Sequence, residues 1–237
     1  MARLILGLLF LLLAAPANAQ TFNAQEQAEI RAIVREYLVN NPDVLRESLE
    51  ALQARTENER WQRMKSDPRD FSIGRSDAPI VIVEFFDYRC GYCHAALEWV
   101  TDVIRTRRDV RVVLKEFPIL SPESMEAAQA IIAAMPQGRY WQFHQALMGF
   151  RGELTSARID ALAREAGIDV ARMRRAMTDP EITRLLEDNR ALAIDAASNP
   201  ATPIFVINGE VIPGFDRERL DARLRAATRE ITEGRRR

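Results

Sequence analysis

The only two cysteines of this 237-residue chain stand in Cys90-Gly91-Tyr92-Cys93, directly behind the apolar run Ile80-Val81-Ile82-Val83-Glu84-Phe85-Phe86. A run of that kind, apolar throughout except for Glu84, reads as a strand buried on both faces, and such a strand requires a sheet covered by helices on either side. If the strand ends near Asp87 and a helix begins at Cys90, Cys93 lies three residues on along the same helical face. The two sulfurs can then bond with little backbone strain. Cys90 would sit where unpaired backbone N–H groups and the helix dipole stabilise an anion, which lowers its pKa and raises its thiolate fraction. Cys93, one turn deeper, would be the resolving thiol. The expected site is therefore a redox-active disulfide, with no further cofactor and no metal.

Other uses of two cysteines are weaker. A structural disulfide closing so short a loop removes little entropy from the unfolded chain. A zinc site needs about four ligands, and the chain has only two histidines, His94 and His144, to add. His94 projects roughly 100° around a helix from its neighbour Cys93. Soft dithiols also take Cu(I), so a copper carrier stays open on the pair alone, although no methionine-rich or histidine-rich cluster accompanies it.

The N-terminus carries Arg3, the apolar stretch Leu4 to Ala15, and Ala17-Asn18-Ala19 before Gln20. This is the pattern of a secretory signal peptide over residues 1–19, cleaved after Ala19. The apolar stretch is well short of the roughly 20 residues that span a bilayer. Export across the inner membrane to the periplasm follows, a compartment in which disulfide exchange is chemically sensible. With 33 Lys and Arg against 34 Asp and Glu, the balanced charge argues against electrostatic binding to nucleic acid. Arg235-Arg236-Arg237 reads as a solvated tail.

Residues 20–66 read as a helical segment. Asn23-Ala24-Gln25-Glu26 is a capping box, and Ile30, Ile33, Val34, Tyr37 and Leu38 share one face of the helix that follows. Asn41 and Pro42 then restart a second helix bearing Val44, Leu45, Leu49 and Leu52. A polar connector from Gln53 to Arg60 leads on to Trp61 and Met64. Two such helices cannot build a core of their own, so the apolar stripes must be covered either by the main domain or by another subunit; the charged connector favours a homo-oligomer.

From 67 to 237 the pattern is α/β. The Ile80–Phe86 strand is followed by the dithiol helix, a second strand at Val110–Phe117, and a helical block over about 121–198. The hairpin Ile204–Ile207, Asn208-Gly209, Glu210–Ile212 and a last helix from Arg217 complete it. That order is a thioredoxin fold with an inserted helical domain, preceded by the N-terminal helical extension.

Over about Phe71 to Glu230 the chain resembles the DsbA-like thiol-disulfide oxidoreductases of the bacterial envelope. The resemblance rests on Glu-Phe-Phe-Asp-Tyr-Arg-Cys-Gly-Tyr-Cys-His at 84–94, Glu-Phe-Pro-Ile-Leu at 116–120 and Ala-Thr-Pro-Ile-Phe-Val-Ile-Asn-Gly at 201–209. The N-terminal helices look like those of Com1-type and suppressor-of-copper-sensitivity-type members, some of which oligomerise through them. The resemblance implies that Pro203 is the cis-proline facing the dithiol, with Pro200 as its rival, and that Thr202 offers backbone hydrogen bonds to an extended substrate. It also implies a proton-relay role for Glu84, which burial alone already suggests, since desolvation raises a carboxyl pKa and lets it exchange protons with Cys93. Lys115 is a conceivable partner of Glu84. Gly91, Tyr92 and His94 would modulate the dithiol, and His144 reads as a packed helical residue.

Partners implied by the resemblance are unfolded or misoxidised exported proteins and a membrane protein that resets the dithiol. Gly91-Tyr92 resembles the dipeptide of envelope disulfide isomerases more than the Pro-His of the strongest oxidases, and with Thr202 this resemblance implies isomerase or reductase chemistry, while an oxidase remains the other direction. A thiol-independent chaperone and a Cu(I)-binding module of the envelope are the alternatives outside enzyme chemistry.

Overall fold

Every side chain of the strand Ile80–Phe86 (β2) is buried, and its position explains why. The structure, a computed structural model, describes residues 22–197 and 199–234. The signal peptide and cleavage site expected from the sequence, and the arginines at 235–237, lie outside the described residues. Five strands form one sheet in the order β1 (Phe71–Gly74), β3 (Val110–Glu116), β2, β4 (Ile204–Ile207) and β5 (Glu210–Pro213). β2 and β3 run parallel and the other pairs antiparallel. β2 is the central strand, covered on both faces.

Alternation along β2 divides the core in two. Ile80, Ile82 and Phe86 face a large cluster shared with helix α3 (Gly91–Thr106) and the helical insertion. Val81, Val83 and Phe85 face a smaller one with Met64, Phe117, Leu192 and Ala193. Each fully buried side chain of this size contributes about 1.5–3 kcal/mol. The insertion comprises α4 (Pro122–Ala134), α5 (Tyr140–Gly149), α6 (Ser156–Glu165), α7 (Val170–Ala176) and α8 (Pro180–Ala196), and α9 (Arg217–Gly234) closes the chain. Asn208 and Gly209 both have positive φ, 48° and 91°, which is the backbone a two-residue hairpin demands.

The short edge strand β1 was not visible as a strand from the sequence: its four residues alternate between half-buried and exposed with none fully buried, and it is strand by virtue of pairing with β3.

The N-terminal helices are α1 (Ala24–Asn40) and α2 (Pro42–Ser66). The capping box is formed, with the Asn23 side chain accepting from the N–H groups of Gln25 and Glu26. Two expectations are corrected here. The polar stretch Gln53 to Arg60 is no connector but the middle of α2, because Glu, Gln and Arg are strong helix formers whatever their polarity. The division between compact units falls after Gln53, inside that helix, rather than at residue 66. The reason is Met64, buried in the sheet's smaller core with Trp61 packed against it, so the last turns of α2 belong to the unit that holds the sheet. In the first unit no residue of α1 is buried, and Ile33, Val34, Tyr37, Leu45 and Leu49 are exposed.

Candidate active site

Cys90 is the N-cap of α3, in extended conformation, and Cys93 lies inside its first turn. Both are free thiols here, 6% and 1% exposed. The turn into the helix is formed by the segment after β2, whose backbone closes with Cys90 N–H donating to the Asp87 carbonyl at 3.1 Å. The Cys90 thiol donates to the Thr202 carbonyl at 3.1 Å, and the Thr202–Pro203 peptide is cis. This contact joins the dithiol to the loop before β4, across 112 residues of sequence.

The two sulfurs are driven apart electrostatically. Hydrogen bonding from the Cys93 thiol, against the opposing effect of burial, then the contact with Thr202 and the N–H groups of Cys93 and Tyr92 at the helix N-terminus bring Cys90 down to about 5. Burial, the same bond to Cys90 and the nearby Glu84 push Cys93 far above the ordinary thiol range. At neutral pH the pair is a thiolate at the helix N-terminus and a thiol buried in the first turn, the division of labour that nucleophilic exchange requires.

Glu84 lies on the β2 face that carries Ile82 and Phe86, toward α3. Burial, and then the charge at Cys90, raise its carboxyl to about 8, so it holds a proton at neutral pH. Lys115 is not its partner. In the β2–β3 register Glu84 stands opposite Leu114 and Lys115 opposite Phe85, which puts the lysine on the other face of the sheet, where it is fully buried against Asp70 and Asn189.

Gly91 and Tyr92 form the exposed tip between the cysteines, with Tyr92 69% exposed. His94 does not bond the Cys90 sulfur: its Nε2 donates to the Tyr88 carbonyl at 2.7 Å, and so braces the segment leading into the helix. His144 is buried among Phe86, Tyr88, Tyr140 and Trp141, as expected of a packed residue.

Asp87 was not singled out from the sequence. It is 1% exposed, and its carboxylate accepts from Arg89 N–H (2.7 Å), Ser124 Oγ (2.6 Å), Ile119 N–H (2.8 Å) and Leu120 N–H (2.9 Å). It therefore clamps the loop after β3 and the start of α4 to the segment that ends in Cys90. Its position three residues before the first cysteine, at the end of a buried strand, was the available signal. Beside this clamp, Phe117, Pro118, Ile119, Met125 and Leu186 line an apolar cavity of about 140 Å³.

A five-stranded mixed sheet with a helical insertion, an N-terminal-helix thiol paired to a buried one, and a cis-proline loop against the first cysteine define a thioredoxin-fold protein of the dithiol exchange class. Comparison with known proteins agrees. Residues 81–224 match the family model described as the DSBA-like thioredoxin domain, and residues 26–59 match that of the copper resistance protein ScsC N-terminal domain. The chain belongs to the DsbA-like thioredoxin-domain family of thiol-disulfide oxidoreductases. A thioredoxin-like oxidoreductase from Silicibacter pomeroyi DSS-3 superposes with a TM-score of 0.67 at 34% identity, covering 73% of this chain and 97% of that one. A linker-deletion mutant of Proteus mirabilis ScsC gives 0.67 at 27% identity, over 90% and 100%. Among curated sequences, a Na(+)/H(+) antiporter NhaA 1 of Salinispora arenicola is 32% identical over 144 residues, which is 60% of this chain and 22% of the antiporter. The NhaA of Herminiimonas arsenicoxydans is 31% identical over 68% of this chain and 26% of its own length. The chain thus spans about a quarter or less of the curated relatives it matches, and no described helix is long and apolar enough to cross a membrane.

Proposed function

We propose that this protein is an exported, periplasmic thiol-disulfide oxidoreductase that exchanges disulfides with envelope proteins through Cys90 and Cys93. The observation that carries this reading is the placement of the sulfurs: Cys90 at the N-cap of α3 against the Thr202 carbonyl of the cis-proline loop, and Cys93 buried in the first turn of the same helix. In the oxidised enzyme a substrate thiolate attacks the Cys90 sulfur. The Cys90–Cys93 bond breaks, a mixed disulfide forms at Cys90, and Cys93 leaves with the electron pair and takes a proton. Glu84, neutral at this pH and buried beside Cys93, is placed to supply that proton. A second substrate thiolate then attacks the substrate sulfur of the mixed disulfide and expels Cys90 as a stable thiolate. Substrate loses two electrons and the enzyme gains them.

A leaving thiolate so well stabilised supports donation of disulfides as the forward direction. Isomerisation is the second reading, favoured by the match of residues 26–59 to the ScsC N-terminal domain and by the exposed stripe of Ile33, Val34, Tyr37, Leu45 and Leu49. Covering that stripe with further copies would gather several dithiols in one assembly. Substrate would lie extended along the Thr202–Pro203 loop, bonded to the Thr202 backbone.

The deciding experiment equilibrates the full chain with glutathione buffers and reads the thiol state of both cysteines by mass. A poise far more oxidising than glutathione supports disulfide donation, and one near or below it supports isomerase or reductase action. Absence of reversible exchange, with tight stoichiometric Cu(I) binding by the reduced protein, would overturn the enzyme reading.

A further inference from the structure

A second buried carboxyl lies on the same face of the sheet as the dithiol and takes no part in the exchange chemistry. Glu116, at the end of β3 and opposite Phe86, accepts at Oε1 from two phenols, Tyr140 (2.7 Å) and Tyr88 (2.9 Å), and Tyr88 Oη also lies 3.2 Å from His144 Nδ1. All four residues are buried. Tyr140 and His144 come from α5 of the insertion, Glu116 from the sheet, and Tyr88 from the segment that delivers Cys90, so three separate parts of the catalytic unit meet on one oxygen. Phe71 of β1 stacks on Tyr140 at 4.2 Å.

We propose that Glu116 is a positioning residue whose protonation state sets how firmly Tyr88, and through it the Cys90 segment, is held, so that the reactivity of the nucleophile is tuned by a carboxyl that bonds neither sulfur.

Tyr88 is well placed to transmit this. Its ring is held by Glu116, its carbonyl accepts from His94 of α3, and its neighbours Asp87 and Arg89 are tied to the loop after β3 and to the Gly152 carbonyl. The segment 87–90 is thus pinned on every side, and Tyr88 is its one tether to a titratable partner through the ring. Tyr88 has a single phenolic proton. With Glu116 ionised, that proton goes to Oε1 in a charge-assisted bond, and His144 supplies Nδ1–H to the phenol oxygen. A proton on Oε1 turns one phenol from donor to acceptor, and a proton on Oε2 removes the charge that strengthens both bonds; charge-assisted bonds are about twice as strong as neutral ones. Either way the hold on Tyr88 weakens as Glu116 becomes neutral.

Glu116 titrates where this matters. Burial raises it to about 8 against the lowering effect of the two phenols, and Asp87 and Asp70 add to the rise. The other groups around it do not compete: burial holds His144 down at about 3 and both phenols well above their ordinary value. Lys115, next along β3, is turned to the other face and bonded to Asp70.

The test measures the rate at which iodoacetamide alkylates Cys90, located by mass, from pH 6 to 10. Because Glu84 also titrates near 8, the work is done in the Glu84→Gln background. Cys90 is already thiolate across most of this range, so without a coupled group the rate is flat above about pH 7. The expected result is a fall in rate centred near the Glu116 transition, and its loss in Glu84→Gln/Glu116→Gln, where the amide keeps an acceptor for the phenols but cannot ionise. Adding Tyr140→Phe instead removes one donor to the carboxylate and should move the midpoint up by about one pH unit or more. A flat profile in Glu84→Gln alone, a step that survives Glu116→Gln, or a midpoint unmoved by Tyr140→Phe overturns the proposal. These readouts do not depend on which direction of exchange the enzyme favours.

Discussion

Replacing Cys93 by alanine isolates the largest influence on the Cys90 thiolate, the bond it receives from the Cys93 thiol. A hydrogen bond to a charged group is worth about 1.5–3 kcal/mol, and about 1.4 kcal/mol is one pKa unit. Cys90 should therefore rise from about 5 to roughly 6–7, and stay below a free thiol because the Thr202 contact and the N–H groups of residues 92 and 93 remain. The kinetic consequence changes sign with pH. For a rise of about 1.5 units, the thiolate fraction at pH 7 falls only to about three quarters, while intrinsic nucleophilicity increases about fivefold at a Brønsted slope of about 0.45, so alkylation becomes about three- to fourfold faster. At pH 5 the thiolate fraction drops from about a half to about 3%, and alkylation becomes about threefold slower. Thiolate absorbance near 240 nm gives the pKa, and iodoacetamide kinetics at the two pH values give the crossing. A Cys90 pKa within about half a unit of wild type, or a rate change of the same sign at both pH values, would refute the assignment of that bond as the dominant cause.

Glu84→Gln tests the buried acid through stability. The folded carboxyl is raised from 4.5 to about 8, so its favourable contribution is complete below about pH 4.5 and is lost as pH rises to about 8, where the folded group finally ionises. Urea denaturation of the reduced protein should show wild type losing on the order of a few kcal/mol relative to Glu84→Gln across that window, and parallel curves would count against burial of the charge. Asp87→Ala abandons four donors that its carboxylate satisfies, and should cost at least about 3 kcal/mol by denaturant titration; a loss under about 1 kcal/mol would show the clamp is not needed. Lys115→Met leaves Asp70 buried without its cation and should cost about 3–5 kcal/mol, most of it recovered when Asp70→Asn is added. Failure of the second change to rescue the first would refute the pairing as the source of the loss.

How much of this was legible beforehand follows the range of each interaction. The apolar run at 80–86, the Asn23 capping box, the Asn208-Gly209 turn and the spacing of Cys90 and Cys93 are local patterns, and the strand, helix start, hairpin and shared helical face they imply are all present. The polar middle of α2 misled because polarity was read as a break, when residue type favours helix and the buried Met64 lies beyond it. Glu84 was legible as a buried acid since a lone charge in an apolar run has nowhere else to go.

What the amino-acid order determined by itself is the secondary structure around the dithiol and the chemistry available there, because backbone propensity, capping and 3.6- or 2-residue periodicity act over a few residues. Only the tertiary structure decided which groups share a face or a hydrogen bond. One residue of strand register put Leu114 rather than Lys115 opposite Glu84, left the acid unpaired and raised, and sent the lysine to Asp70. Contacts spanning tens of residues brought Thr202 to Cys90, Ile119 to Asp87, Tyr140 to Glu116, and His144 to the ring that precedes the nucleophile. Those partners are set by how the sheet and its helices pack, since a sheet turns a single-residue shift into a change of face.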